Sequence, residues 1–300
     1  MRRLRRRRRR LAALALLPLA TTAATTAIAF AASVPGPGGQ ISASQGTVRY
    51  GKPIRLSGTL PGLGGAEVQI AFSRDGSDSW TVVDSTAADP AGAYEARVKP
   101  PASGAYRAQP TGGGPSEPVP VRVRSVAKLR LKRHVVVGHS VKIAGRVRPA
   151  GAGRPVRITL PGPDERTRTR AGGRLKESWK PRGAGEGKVR AFAQGDAAAA
   201  AGRSRPRRVT VYRPASASWY GPGLYGNGMA CGGTLTPSTV GVAHRSMPCG
   251  TRLTLRHAGR SVRVEVIDRG PFVGGREFDL TGATKNRLNF GSTGTVLSSR

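Results

Sequence analysis

Four acidic residues stand in the C-terminal part of the chain, and what a carboxyl group can do depends on where it lies. Between residues 218 and 300 these are Glu265, Asp268, Glu277 and Asp279, among ten Lys and Arg. Asp268 ends the apolar alternation of EVID and precedes the turn sequence RGPF. A carboxyl group at such a strand end can face a groove and transfer a proton, or it can only accept backbone N–H bonds in the turn. The residues alone favour neither interpretation of Asp268.

Two of the other acids have structural interpretations. Glu265 lies on the strand face opposite Val264 and Val266, which predicts an exposed carboxylate paired with arginine. Asp279 lies at the start of a predicted short helix and can orient a loop or act as the N-cap of that helix.

Short strands are predicted to hold these acids. Alternation predicts strands over 252–256 and 261–267, joined by a hairpin loop that contains Gly259. LTGATKNRLNFG then indicates a short helix with a glycine stop, and TGTVLSS a closing strand. Strands this short, in a segment of this size, close best into a small barrel.

The upstream sequence is rich in Gly, Pro and Arg, and a repeat divides it. Gly51, Ile54, Leu56 and Gly58 match residues of VVVGHSVKIAGRV at a constant spacing of 87. Short alternating runs at that period are typical of immunoglobulin-like sandwiches. We therefore predict sandwich modules over 38–124 and 125–213, and an Arg-rich linker over 202–214 that leads to a further domain.

The N-terminus predicts export. Eight arginines among the first ten residues precede the apolar LAALALLPLA, and AFA at 29–31 supplies a cleavage site, so residues 1–31 are predicted to be a signal peptide. The alternative is an uncleaved anchor, because residues 11–32 carry no charge. The net charge of +34 favours anionic partners. On an exported chain these are wall polymers rather than nucleic acid.

The two cysteines, Cys231 and Cys249, are the only ones in the chain. Two thiols in an exported protein most simply form one disulfide. Cys231, His244 and Cys249 are three possible metal ligands, but they lack paired CxxC spacing, so no metal site is predicted.

Four motifs between Ser218 and Arg300 resemble those of the rare lipoprotein A (RlpA) family: ASWYGPG, GNGMACGG, GVAHRSMPCGTRLTL and VIDRGPFVGGREFDLT. The resemblance is more distant to expansins and to family 45 endoglucanases, and it covers 218–300 only. It implies a six-stranded double-psi β-barrel, so the expected fold is mainly β, with two immunoglobulin-like sandwich modules before that barrel. Family members are secreted proteins that bind peptidoglycan, and some are lytic transglycosylases.

The resemblance also implies site roles. It makes Asp268 the catalytic acid. His244 is retained, where it can bond the substrate or position Asp268; the alternative is a structural histidine that ties its loop to the barrel. The family's second acid falls on Gly233, which puts turnover in question but not glycan binding. Cys231 and Cys249 stand where relatives often have Asn and Phe, which fits a disulfide. A single carboxyl group is sufficient for a lytic transglycosylase, because the 6-hydroxyl of the sugar is the nucleophile.

Aromatic and basic side chains near these motifs are candidates for substrate binding. Trp219, Tyr220, Tyr225 and Phe272 can stack on sugar faces, and Arg269 can bind substrate. For Trp219 and Phe272 packing in the core is the default interpretation, whereas Tyr225 in its Gly-rich loop is expected to be exposed.

The sequence thus predicts a secreted or cell-envelope lytic transglycosylase, a lyase that cleaves peptidoglycan glycan strands, with no cofactor and no metal. Its predicted partners are glycan strands and other anionic wall polymers, with membrane contact only through an uncleaved signal segment. Two alternatives remain: a non-catalytic or expansin-like wall-binding module, and an adhesion protein whose sandwich modules bind.

Overall fold

Alternating strands account for most of the fold, and the computed structural model describes them over residues 39–300. The predicted signal peptide at 1–31 lies outside the described residues. Within 39–300, no helix has the length and apolar character that crossing a bilayer requires.

Two sheets enclose the first hydrophobic core. Strands β1–β3–β6 form one sheet and β5–β4–β7–β8–β2 the other, with Leu56, Ile70 and Tyr106 buried between them. The strands are β1 (Ser42–Ala43), β2 (Thr47–Arg49), β3 (Ile54–Thr59), β4 (Glu67–Arg74), β5 (Thr81–Ala87), β6 (Ala93–Val98), β7 (Gly104–Pro110) and β8 (Val119–Arg130). This is a sandwich, as the alternating runs predict.

A second core lies between two further sheets. These are β8–β10–β13 and β12–β11–β14–β16–β9, with β15 between β8 and β14, and they bury Ile143, Ile158 and Trp179. The strands are β9 (His134–Val136), β10 (Val141–Arg148), β11 (Pro155–Leu160), β12 (Gly162–Arg168), β13 (Arg174–Trp179), β14 (Gly185–Ala193), β15 (Ala200–Ser204) and β16 (Arg207–Tyr220). A 3₁₀ turn, Ala171–Gly173, precedes β13.

The third core is enclosed by a closed ring of six strands. The remaining elements are β17 (Val242–His244), β18 (Arg252–His257), β19 (Arg260–Asp268), β20 (Phe278–Thr281), helix α1 (Gly282–Leu288) and β21 (Gly294–Ser298). The ring order is β16–β20–β17–β19–β18–β21, and β21 pairs back to β16. Two pairs, β16 with β20 and β17 with β19, are parallel. The predicted barrel, hairpin and closing strand are therefore confirmed.

Helix α1 is also confirmed, but both of its ends differ from the prediction. Thr281, not Asp279, is the N-cap, and its hydroxyl accepts the N–H of Thr284. The helix ends at Asn289, whose φ of 53° places it in the left-handed region, rather than at a glycine. Asn tolerates this conformation better than most residues, so it can replace glycine as the helix stop.

The predicted linker at 202–214 is wrong, because those residues lie largely in strands β15 and β16. Residues 207–211 of β16 pair with β14, and residues 213–217 of the same strand pair with β21. Val209 and Val211 enter the second core, whereas Ala215 and Ala217 enter the barrel core. The alternation simply continues from one core into the next.

A buried arginine supports the second module and leads to a stability prediction. The Arg154 side chain is only 2% exposed; its Nε and Nη2 donate to the Asp196 carboxylate at 2.7 and 2.9 Å. We expect Asp196→Asn to lower the free energy of unfolding by about 2 kcal/mol, because a buried guanidinium loses its counter-charge. Urea unfolding measures this. Asp164→Asn is the matched control, since its partner Arg157 is exposed, and should cost less than about 1 kcal/mol. Equal losses in both variants would contradict the prediction.

Candidate functional site

Strand β17 brings two carboxylates to one end of the barrel. Ala243 pairs with Asp268 of β19 on one side and with Asp279 of β20 on the other. Asp279 in turn pairs with Ser218 of β16. Asp268 and Asp279 therefore lie on the two strands that flank β17. The prediction of Asp279 as a loop or cap residue is wrong, because Asp279 lies in strand β20, whose signal in the sequence is the alternation of FDLT.

Asp268 accepts backbone N–H bonds in the turn, which is one of its two interpretations. Its Oδ1 accepts the backbone N–H of Ala230 at 2.8 Å and that of Arg269 at 2.9 Å. The first of these bonds comes from the loop before β17, so the carboxylate also holds that loop against the barrel. A turn role does not exclude proton transfer, because these two bonds use only one of the two oxygens.

The hydroxyl of Tyr220 is buried beside the two carboxylates. It has no hydrogen bond of ordinary geometry to any residue that the structure describes. Burial raises the pKa of Tyr220, and the neighbouring Asp268 and Asp279 raise it further. The phenol therefore stays protonated at all physiological pH values, and Asp268 is the nearby acceptor for its O–H.

Asp279 is more readily protonated than an ordinary aspartate. Burial raises its pKa, and the hydrogen bond that its Oδ1 accepts from Ser218 Oγ at 2.7 Å opposes this change only in part. A carboxyl group shifted in this direction keeps its proton to a higher pH than an ordinary aspartate does.

His244 faces a different carboxylate. Its Nδ1 accepts the N–H groups of Ser246 and Met247 at 3.1 and 2.9 Å, so its proton lies on Nε2, 4.0 Å from Glu277 Oε1. Glu277 is itself paired with Arg213. Among residues 39–300, no hydrogen bond joins His244 to Asp268. This geometry fits the loop-holding role better than the positioning of Asp268.

The histidine also gives a pH prediction. Burial, the largest cause, lowers the pKa of His244 below 6.5, while Glu277 opposes the shift. Below pH 6.5 the unfolded chain therefore binds a proton that the folded chain does not, and stability falls as the pH falls toward the lowered pKa. In His244→Asn, whose Oδ1 can still accept the two backbone bonds, this loss should shrink by at most about 1.4 kcal/mol per pH unit.

Urea unfolding at a series of pH values measures this slope. His139→Asn changes an exposed histidine and is the matched control, expected to keep the parent slope. If the free energy of unfolding of His244→Asn depends on pH as steeply as that of the parent, His244 does not contribute to the pH dependence.

Arg269 and the disulfide hold the loops around Asp268. Arg269 Nη1 donates to the carbonyls of His244 and Met247 at 3.2 and 3.0 Å, and Nη2 donates to Cys249 Sγ at 3.0 Å. The guanidinium predicted to bind substrate is thus engaged with the protein's own loop. The predicted Cys231–Cys249 disulfide is present, with a Cα–Cα distance of 5.6 Å. It removes both cysteines as metal ligands.

The loop that carries Cys231 contributes no acid. Gly233 has φ +78°, and a Cβ atom added there would lie 3.5 Å from Met229 Cε. The Cβ atom itself meets no clash, but the backbone conformation favours glycine. Asp279 is therefore the carboxyl group that accompanies Asp268.

The candidate aromatic residues differ in exposure. Trp219 packs against the barrel core and Lys285 Nζ lies 4.4 Å from its ring centroid, while Tyr225 is 36% exposed. Phe272 is 82% exposed, so the interpretation of Phe272 as a core residue is wrong. It lies in the loop between β19 and β20, where no strand turns its side chain inward.

Comparison with known proteins places this site in a family context. Residues 213–297 match the family model described as lytic transglycolase. A probable endolytic peptidoglycan transglycosylase RlpA from Synechocystis sp. is 41% identical over 80 residues, covering 26% of this chain and 25% of that protein. The endolytic peptidoglycan transglycosylase RlpA of Campylobacter jejuni is 37% identical over 82 residues, covering 27% of this chain and 30% of that protein. The resemblance of the C-terminal domain to the RlpA family, and its double-psi β-barrel fold, are thereby confirmed.

These similarities are limited to the barrel. The chain spans about a quarter to a third of the length of these two relatives. Among solved structures, fibronectin(III)-like modules of Clostridium thermocellum CbhA match this chain at 18% identity, covering 57% of this chain and 93% of that one, with a TM-score of 0.23.

Proposed function

We propose that this chain, whose C-terminal barrel resembles the RlpA lytic transglycosylases, cleaves the glycan strands of peptidoglycan with Asp268 as acid and base. The observation that carries the proposal is the position of Asp268, which a barrel strand and two backbone hydrogen bonds hold beside the buried Tyr220 hydroxyl. The Cys231–Cys249 disulfide supports a location outside the cytoplasm. The signal peptide at residues 1–31 stays a prediction.

One carboxyl group can perform both proton transfers. In the first, the Asp268 carboxyl donates its proton to the glycosidic oxygen as the bond from that oxygen to C1 breaks. In the second, the Asp268 carboxylate takes the proton of the 6-hydroxyl of the same sugar as its oxygen bonds to C1. The products are a 1,6-anhydro sugar end and a new free hydroxyl on the leaving chain, and Asp268 is protonated again.

Tyr220 and Asp279 have supporting roles in this scheme. After the first transfer Asp268 is negative, and the protonated Tyr220 hydroxyl can donate a hydrogen bond to it. Asp279, which Ser218 holds in place, can accept a hydrogen bond from a sugar hydroxyl or share a proton with the site. The exposed Phe272 and Tyr225 are the aromatic rings available to stack on sugar faces.

A second candidate function, glycan binding without turnover, rests on Gly233. The family resemblance places an acid there, and this loop offers no carboxyl group. A barrel that keeps its groove but lacks one acid can hold a glycan strand without cleaving it.

Mass spectrometry of soluble products separates these functions. The full chain is incubated with purified peptidoglycan and with glycan freed of stem peptides. Anhydro-sugar ends would establish the transglycosylase, whereas reducing ends would identify a hydrolase. Co-sedimentation with peptidoglycan and no soluble product would make the protein a binding module.

A further inference from the structure

One face of the second module carries a dense group of cations far from Asp268 in the sequence. Strands β8, β10 and β13 lie side by side in one sheet, and we call the outer face of these three strands the basic sheet face. Its exposed residues alternate with buried ones that enter the second core. The cations of the face are Lys128, Arg130, Lys142, Arg146, Arg174 and Lys176.

The strand register places like charges directly opposite one another. Arg146 pairs with Lys128 on one side and with Arg174 on the other. Directly opposed like charges destabilise a sheet. None of the six cations forms a salt bridge with a carboxylate in residues 39–300. The nearby acid, Glu177, accepts a hydrogen bond from Thr167 instead. The fold thus keeps a costly arrangement that an anionic ligand would relieve.

The face has the shape and spacing of a polymer site. A concavity of about 890 Å³ lies over it, and its charged lining consists of the six cations, Arg170 and a single acid, Glu177. The backbones of neighbouring strands in a sheet lie about 4.8 Å apart, and residues two apart on one strand are about 6.8 Å apart along it, so these cations are closely spaced. A flexible chain with one negative charge per short repeat can neutralise several of them at once.

The chemistry of the face selects among polyanions. Single-stranded nucleic acids are held by aromatic stacking as well as by charge, and membrane-bound surfaces insert apolar side chains. The basic sheet face, which lies wholly in the described part of the chain, has no aromatic side chain, and none of the exposed large apolar residues lies on it. We propose that this face binds a linear phosphodiester polymer of the cell wall. The proposal goes beyond glycan cleavage and rests only on a location outside the cytoplasm.

Binding of a synthetic glycerol-phosphate oligomer to the full chain tests this proposal, by fluorescence anisotropy at several salt concentrations. The test variant combines Lys128→Gln, Arg146→Gln and Arg174→Gln. We expect its Kd to rise about tenfold or more and the salt slope of log K to fall by about 2, since three contacts are lost. Its melting temperature should equal or exceed that of the parent, because the opposed charges are gone.

A matched variant removes the same charge elsewhere. Lys52→Gln, Arg74→Gln and Lys99→Gln change three exposed cations of the first module, and we expect less than a threefold change in Kd. Equal losses in both variants, or no loss in the first, would overturn the proposal. Tighter binding of single-stranded DNA or of phosphatidylglycerol vesicles through the same three residues would also overturn it. None of these outcomes depends on glycan cleavage.

Discussion

Replacement of Asp268 by asparagine is expected to lower the rate of anhydro-sugar release by about 10²–10⁴-fold, the usual contribution of a general acid or base. Asparagine has no proton to exchange with the glycosidic oxygen or the 6-hydroxyl. It does keep an Oδ1 that can accept the N–H groups of Ala230 and Arg269, so the loop before β17 should stay in place. The loss should therefore fall on kcat, with co-sedimentation on glycan unchanged.

Glu265→Gln is the control for this variant. Glu265 lies on the same strand, but its carboxylate pairs with the exposed Arg252, as predicted from the sequence. Its replacement should leave the rate within about twofold of the parent. An Asp268→Asn protein within threefold of the parent rate would assign Asp268 to the turn alone. Asp279→Asn should cost less than Asp268→Asn, since Asp279 assists but does not transfer the proton to the leaving group.

The second large effect is expected from the disulfide. Cys231 and Cys249 are 18 residues apart, and closing a loop of that length stabilises the fold by about 3 kcal/mol. The double variant Cys231→Ser and Cys249→Ser should lower the Tm of the barrel by more than about 10 °C. The pair also anchors the site, because Cys231 N–H donates to the carbonyl of Ile267, the residue before Asp268. Turnover should fall along with stability.

Thermal unfolding with and without reductant measures this effect. Reductant should lower the Tm of the parent to that of the double variant and leave the double variant unchanged. A parent whose Tm does not respond to reductant, although its thiols have been shown to be free, would contradict the expectation.

Local pattern was sufficient for much of the barrel. The alternation that ends in EVID predicted β19 and placed Asp268 at its end, and the hairpin before it followed from two alternating runs around Gly259. The repeat at 87 residues indicated two sandwiches, and two separate cores support that division, whose exact bounds stay a prediction. These features depend on contacts between residues close in sequence or on a period that is visible in it.

The parts that failed depend on tertiary context. Whether Phe272 is buried is decided by the path of a loop, which no periodicity encodes. Asp279 lies near Asp268 only because β17 lies between the strands that carry them. The helix stop at Asn289 is an exception, because it depends on a local property: asparagine tolerates the left-handed region. The stacking of Tyr220 on sugar stays a prediction, and its hydroxyl is buried.

Strand β16 has a practical consequence for how the molecule can be divided. Residues 213–217 pair with β21 and complete the ring of the barrel. A fragment that begins at residue 218 would lack them, so β21 would become an unpaired sheet edge that can recruit other chains and aggregate. A cut just before residue 213 would instead leave residues 207–211 paired with β14 in the second module and residues 213–217 paired with β21 in the barrel. One continuous strand serves both domains, and only a division at this point leaves each domain its own half of it.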